Sequence, residues 1–234
     1  GIRGRLPNWQ PCRSLRRYDG VGLSRRCVGP RPNVGVISIP ADSQTIEVAR
    51  LPPSKSHLIR WLLLASQGQG QVEIRGVSGA AEDACAMRDA LIQLGVQIDI
   101  EDDIWTVYGV GANGFKRPSC VLNMHNSGTA LRLLGVAIAR VGESITIDGD
   151  STLAARIDRG FWESLSLDVE FDSERTLPMK IKGPMNRNSL SLNCQKTSQH
   201  LSAIVLSMPS RGDDVKLAIE GPIVSRRHAK LSFD

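Results

Sequence analysis

Apolar residues along this chain alternate between a helical period and a period of two, and the alternation repeats three times. Three segments fall into register when set side by side: SKSHLIRWLLLASQGQGQVEIRG (54–76), NSGTALRLLGVAIARVGESITIDG (126–149) and KTSQHLSAIVLSMPSRGDDVKLAIEG (196–221). Each opens with small polar residues suited to capping a helix. Each continues as an apolar helix of about three turns, passes a glycine-containing turn and ends in an alternating strand closed by glycine. The closing glycines, Gly76, Gly149 and Gly221, lie 73 and 72 residues apart. A helix that is apolar nearly all round predicts burial.

A second, amphipathic helix follows in each unit. In AAEDACAMRDALIQLG the stripe is Ala84, Met87, Leu91 and Leu94; in TLAARIDRGFWESL it is Leu153, Ile157, Phe161 and Leu165. Strand pairs come next, VQIDI with WTVYG and DVEF with LPMKIKG. Upstream, VGVISIP and QTIEVARLP alternate at Ile37 and Ile39 and at Ile46 and Val48, and read as strands. The third unit reaches Asp234 one or two turns into its second helix. The pattern predicts two complete units and a truncated third, a piece cut from a longer protein. The fold class is α/β: repeated βαβαββ-type units with buried parallel helices inside a shell of sheets.

Charge divides the chain. Residues 1–32 hold eight arginines and one acid, Asp19, a local +7 against a total of +5, which leaves −2 for residues 33–234. The first 32 residues read as a disordered or non-native Arg-rich leader, or else a targeting or anion-binding arm, and residues 33–234 as the folded domain. Basicity confined to the leader argues against nucleic acid as the partner of the folded part. Aromatics at 4% offer little for stacking bases. No apolar run approaches the roughly 18 residues of a membrane helix. Five widely spaced cysteines without a C-x-x-C, and four scattered histidines, argue against a disulfide framework or a metal site. A reducing, cytoplasmic setting is expected.

The helix starts carry the candidate chemistry. Lys55 and Ser56 open the first buried helix; Asn126, Ser127, Gly128 and Thr129 the second; Thr197, Ser198 and Gln199 the third. Packed with pseudo-threefold symmetry, these N-termini converge, bringing unpaired N–H groups and partial positive charge to one point. Lys55, Arg60 and Arg132 add full charges, which makes an anion site for phosphate or carboxylate. Taken singly, each start reads first as an ordinary N-cap. Arg60 and Arg132 stand at matching places on apolar helices, where a charge needs an ion pair or a ligand.

PPSKSHLIR and NSGTALRLL resemble the two main signatures of the 5-enolpyruvylshikimate-3-phosphate synthase family. TSQHLSAIVLSMP, GDSTLAARI and EGPIVSRRHAKL are similar to its weaker ones. The resemblance implies a protein of two such domains with the active site between them, this chain corresponding to the first. It implies transfer of the enolpyruvyl group of phosphoenolpyruvate to the 5-hydroxyl of shikimate-3-phosphate, with no metal or organic cofactor. By the same resemblance Lys55 is catalytic and contacts both substrates. Ser56 and Arg60 hold shikimate-3-phosphate, Thr197, Ser198 and Ser225 its phosphate, and Gln199 lies between the substrates. The Gly128 N–H faces phosphoenolpyruvate, with Asn126 and Thr129 supporting that loop.

The sequence also departs from the family pattern. Thr152 stands where an arginine for phosphoenolpyruvate is usual, leaving Arg156. Leu133 replaces a proline behind Gly128, which implies altered glyphosate sensitivity, and His228 replaces an aromatic residue. The family's acid/base carboxylate has no counterpart here; Glu82 and Asp83 read as helix caps. Two outcomes stay open: an active transferase, or a half-enzyme that binds shikimate-3-phosphate or complements another chain, such as a C-terminal half. The related transferase acting on UDP-N-acetylglucosamine is disfavoured by Lys55-Ser56 and by Ser151-Thr152 in place of its reactive cysteine.

Overall fold

The computed structural model describes residues 51–111, 114–185, 188–207 and 214–233. The Arg-rich leader and the strands predicted around Ile37 and Ile46 lie outside the described residues. The first helix, α1 (Lys55–Gln67), starts after Pro52 and Pro53 and gives way at Gly68 to extended backbone. It leads into β1 (Gln69–Arg75), the amphipathic α2 (Glu82–Gln93), and a hairpin of β2 (Gln97–Glu101) and β3 (Ile104–Val110). β3 is the centre of a three-stranded antiparallel sheet, with Val107 opposite both Val72 and Ile98.

The second unit shows the whole motif. β4 (Leu122–Asn123), α3 (Gly128–Ile138) and β5 (Ser144–Asp148) form a parallel βαβ crossover. Two short helices follow, α4 (Ser151–Ala154) and α5 (Arg159–Ser164), then the hairpin of β6 (Asp168–Phe171) and β7 (Met179–Lys182). The sheet order is β4-β5-β7-β6. The third unit repeats its start: β8 (Ser189–Asn193), α6 (Gln199–Ser207), β9 (Lys216–Glu220) parallel to β8, and α7 (Arg226–Lys230). Both predicted strand pairs form, through Ile98 with Val107 and Val169 with Ile181.

The buried helices are α1, α3 and α6. Every residue of α3 except Thr129 is buried. Their directions agree. Arg60 reaches Ser202 near the starts of α1 and α6, and Gln67 reaches the Leu206 carbonyl near their ends. Arg140, just past α3, donates to Gln67 Oε1. The three helices therefore run parallel, with their N-termini at one end. α2 packs across α1 and α3 through Ala84, Met87 and Leu91.

One element differs from the sequence reading. The second helix of the second unit is broken into α4 and α5, although its stripe still points inward: Leu153 and Leu165 are fully buried and Phe161 nearly so. Asp150 caps α4, accepting from the Leu153 N–H at 2.7 Å. The Arg156 carbonyl, which a continuous helix would use, accepts instead from the Arg132 guanidinium at 2.7 Å.

Gly135 on α3 marks where the layers touch. A Cβ there would lie 2.4 Å from the ring of the buried Trp162. Gly135→Ala is expected to lower stability by about 1–3 kcal/mol through overpacking. Gly142→Ala, where a Cβ meets open space, should leave it within about 0.5 kcal/mol. Urea denaturation of both variants checks the contrast.

Candidate functional site

Each buried helix begins at the same end of the molecule, and two arginines tie those beginnings together. Arg60, on α1, is 3% exposed. Its Nε donates to Ser232 Oγ at 3.1 Å, Nη1 to the Ser56 carbonyl at 3.0 Å, and Nη2 to Ser202 Oγ at 3.0 Å and the His228 carbonyl at 3.3 Å. Four of its five donors are thus taken. Arg132, on α3, is 9% exposed. Its Nη1 donates to the Gly128 carbonyl and to Gln199 Oε1, both at 2.9 Å, and its Nη2 to the Arg156 carbonyl.

Both arginines curl back onto the carbonyl four residues earlier and then reach across toward α6. Neither donates to a carboxylate among the described residues, so the ion pair left open by the sequence is not formed. Burial pulls the Arg60 guanidinium down to about 10 and lowers that of Arg132, which the nearby charge of Arg156 lowers further. Both remain cations at neutral pH. The result is a buried positive end held by neutral oxygens.

The other predicted residues surround this frame. Lys55 is exposed at the start of α1, and its ammonium lies 3.4 Å from the Asp83 carboxylate. Asp83 makes no capping bond at the start of α2; its partner is Lys55. An exposed pair of this kind contributes about 0–1 kcal/mol. Ser127 caps α3, its Oγ accepting from the Ala130 N–H at 3.2 Å. Asn126 is held by Arg156, whose Nη2 donates to the Asn126 carbonyl at 2.9 Å and also to its Oδ1. Thr197 Oγ1 accepts from the Gln199 N–H at 3.1 Å. Ser198 is buried beside it, and Thr129 half-buried at the start of α3. Ser225 is exposed and takes a left-handed backbone (φ 51°, ψ 46°) at the start of α7.

Gly128 has a role that the sequence did not reveal. A Cβ there would lie 2.6 Å from Arg132 Nη1. Glycine makes room for the arginine that folds back over it. The sequence reading also missed the serine network. Ser202 occupies in α6 the repeat position of Arg60 and Arg132, and it receives both Arg60 Nη2 and the Ser232 hydroxyl, the latter at 2.8 Å. A signal was present, because the third repeat carries a small hydroxyl residue where the first two carry arginine.

His200, next to Gln199, stacks on Phe161 with ring centroids 3.9 Å apart and planes 3° from parallel. Its buried Nε2 has no partner among the described residues. Burial, with Arg132 nearby, pushes its imidazole down to about 4. Between about pH 6.5 and 4 the unfolded chain takes up a proton that the folded chain refuses. Stability is therefore full above about pH 6.5 and falls as pH drops toward 4, by roughly 3 kcal/mol at most. His200→Phe is expected to remove that part of the acid loss and to raise stability at neutral pH by about 1–3 kcal/mol, since an unpaired buried nitrogen disappears. Denaturation curves of both proteins at neutral and acid pH measure the two effects.

A repeated α/β framework whose buried parallel helices begin together at one end is the architecture of the enolpyruvyl transferase type. Residues 40–232 match the EPSP synthase (3-phosphoshikimate 1-carboxyvinyltransferase) family, and the chain belongs to it. The 3-phosphoshikimate 1-carboxyvinyltransferase of Methanothermobacter thermautotrophicus is 32% identical over 190 residues, covering 79% of this chain and 44% of that protein. The enzyme of the same name from Dichelobacter nodosus is 48% identical over 104 residues, covering 44% of this chain and 23% of that protein. Among solved structures, EPSP synthase from Acinetobacter baumannii shares the fold with a TM-score of 0.65 at 24% identity, over 76% of this chain and 41% of that one. The enolpyruvyl transferase NikO from Streptomyces tendae gives a TM-score of 0.52 at 16% identity, over 77% and 40%. The chain thus spans under half the length of these relatives. Among the described residues no helix is long and apolar enough to cross a membrane.

Proposed function

We propose that residues 33–234 form the shikimate-3-phosphate-binding part of an enolpyruvyl transfer site. The observation that carries this reading is the pair of buried arginines, Arg60 and Arg132, bound only to neutral oxygens at the converging helix starts. Among the described residues neither guanidinium is hydrogen-bonded to a carboxylate, and a polyanionic substrate complements their charge.

In this reading Lys55 leaves Asp83 to contact both substrates and is the catalytic residue of this half. Ser56 and Arg60 hold shikimate-3-phosphate, Arg60 through its remaining donor and through the serines it orders. Thr197, Ser198 and Ser225 take the phosphate group. Gln199 lies between the substrates. Gly128, with Asn126, Thr129 and Arg156, faces phosphoenolpyruvate. The reaction joins the enol carbon of phosphoenolpyruvate to the 5-hydroxyl oxygen as the methylene is protonated to a methyl group, then expels phosphate as a methyl proton is removed and the double bond returns. It needs one group to protonate the methylene and one to accept the hydroxyl proton. No carboxylate of this chain matches that role, so a complementing half would supply it. The reading requires no metal or organic cofactor and places the protein in the cytoplasm. Leu133, buried on α3 behind Gly128, alters glyphosate sensitivity.

Calorimetric titration with shikimate-3-phosphate is expected to show saturable binding, weakened about tenfold or more in Lys55→Ala as one charge-assisted contact is lost. Absent binding, or unchanged binding in that variant, contradicts the site. Phosphate release with both substrates distinguishes an active transferase from a half-enzyme that only binds. For the inhibitor, glyphosate is expected to act differently on this form and on Leu133→Pro when each is assayed with its complementing half. Equal inhibition would refute the role given to Leu133.

A further inference from the structure

We propose that Arg132 is a positioning residue that fixes the Gln199 amide with its NH2 group toward the ligand, so that Gln199 donates to a substrate oxygen. This rests on the shikimate-3-phosphate reading above and gives a direction to one of its contacts.

An arginine side chain carries only donors. The Gln199 atom 2.9 Å from Arg132 Nη1 must therefore be the amide oxygen; the opposite rotamer would set two donors against each other. With Oε1 held, Nε2 lies on the other side of the amide, turned away from Arg132. Gln199 is half-buried at the first position of α6, and no described residue accepts from its Nε2. Its backbone N–H is already given to Thr197. The amide group left without a partner is therefore the Nε2 donor, which suits an anionic or ether oxygen.

The orientation is enforced because Arg132 cannot swing away. It is buried, and three segments hold it: the Gly128 carbonyl, the Arg156 carbonyl and Gln199 itself. Gly128 leaves the space it occupies, since a Cβ there would meet Nη1 at 2.6 Å. The Arg156 segment in turn grips Asn126. One guanidinium thus links the phosphoenolpyruvate-side loop to the first residue of α6. A lysine at 132 would bring one nitrogen where the planar fork serves three acceptors.

Three variants test this, with thermal stability measured without ligand and shikimate-3-phosphate affinity by calorimetry. Gln199→Glu is expected to be at least as stable as the parent, because its carboxylate pairs with Arg132. It should nevertheless bind roughly 30-fold more weakly, since an acceptor replaces the donor. Gln199→Leu should lose both stability and affinity. Arg132→Lys should weaken binding about tenfold in the parent but less than about twofold in the Gln199→Leu background, the signature of a residue acting through another. Gln199→Glu no more stable than Gln199→Leu would overturn the link to Arg132. Gln199→Glu stable and still binding like the parent would overturn the donor direction. Equal losses from Arg132→Lys in both backgrounds would overturn the positioning role. If the parent binds no shikimate-3-phosphate, the functional reading fails, and the stability comparison still decides whether Arg132 holds the amide oxygen.

Discussion

A guanidinium taken out of water must find acceptors in the protein, or burying it destabilises the fold by several kcal/mol. The end of this molecule where the buried helices begin is organised around that constraint. Arg60 and Arg132 each use the carbonyl four residues earlier and then reach toward α6. The acceptors come from α1, α3, α6, the break between α4 and α5, and the α7 region. The arginines therefore lock the relative placement of three repeat units while keeping their charge.

Symmetry among the units explains why two arginines are accommodated and a third is absent. Ser202 stands at the equivalent place in α6 and accepts from Arg60. A third long cation there would occupy the space into which Arg60 extends. At the opposite end, Gln67 joins α1 to the Leu206 carbonyl and to Arg140. Polar bonds thus fix both ends of the helix cluster, and aliphatic packing fills the middle.

The repeated architecture was legible in the sequence because its signals are local and periodic. The apolar helices, the alternating strands and the hairpins follow from spacing alone. The closing glycines follow for two reasons: Gly76 and Gly221 take positive φ, whereas at Gly149 a Cβ would meet the His125 carbonyl at 2.8 Å. Of the features that were not legible, three depend on contacts distant in sequence. At the break between α4 and α5 the Arg156 carbonyl is bonded to Arg132, 24 residues earlier. Asp83 read as a cap, but its carboxylate is drawn to Lys55, 28 residues earlier. The two arginines read as ligand groups or ion pairs, whereas most of their donors hold the protein's own neutral oxygens. Composition cannot show that a charge is satisfied by carbonyls supplied by other repeats.

These contacts separate the site into a buried frame and a more accessible layer. Arg60 and Arg132 set the positions and the electrostatic background, while the exposed Lys55 and Ser225 and the half-buried Ser56 and Thr197 lie around them. The most direct test is a nitrogen–proton NMR titration with shikimate-3-phosphate that follows the backbone amides of Ser56, Gly128 and Gln199. The account predicts that all three shift together with one saturation curve, because one anion meets all three helix starts. Shifts confined to exposed basic residues such as Arg226 and Arg227, or amides that fail to saturate together, would contradict it.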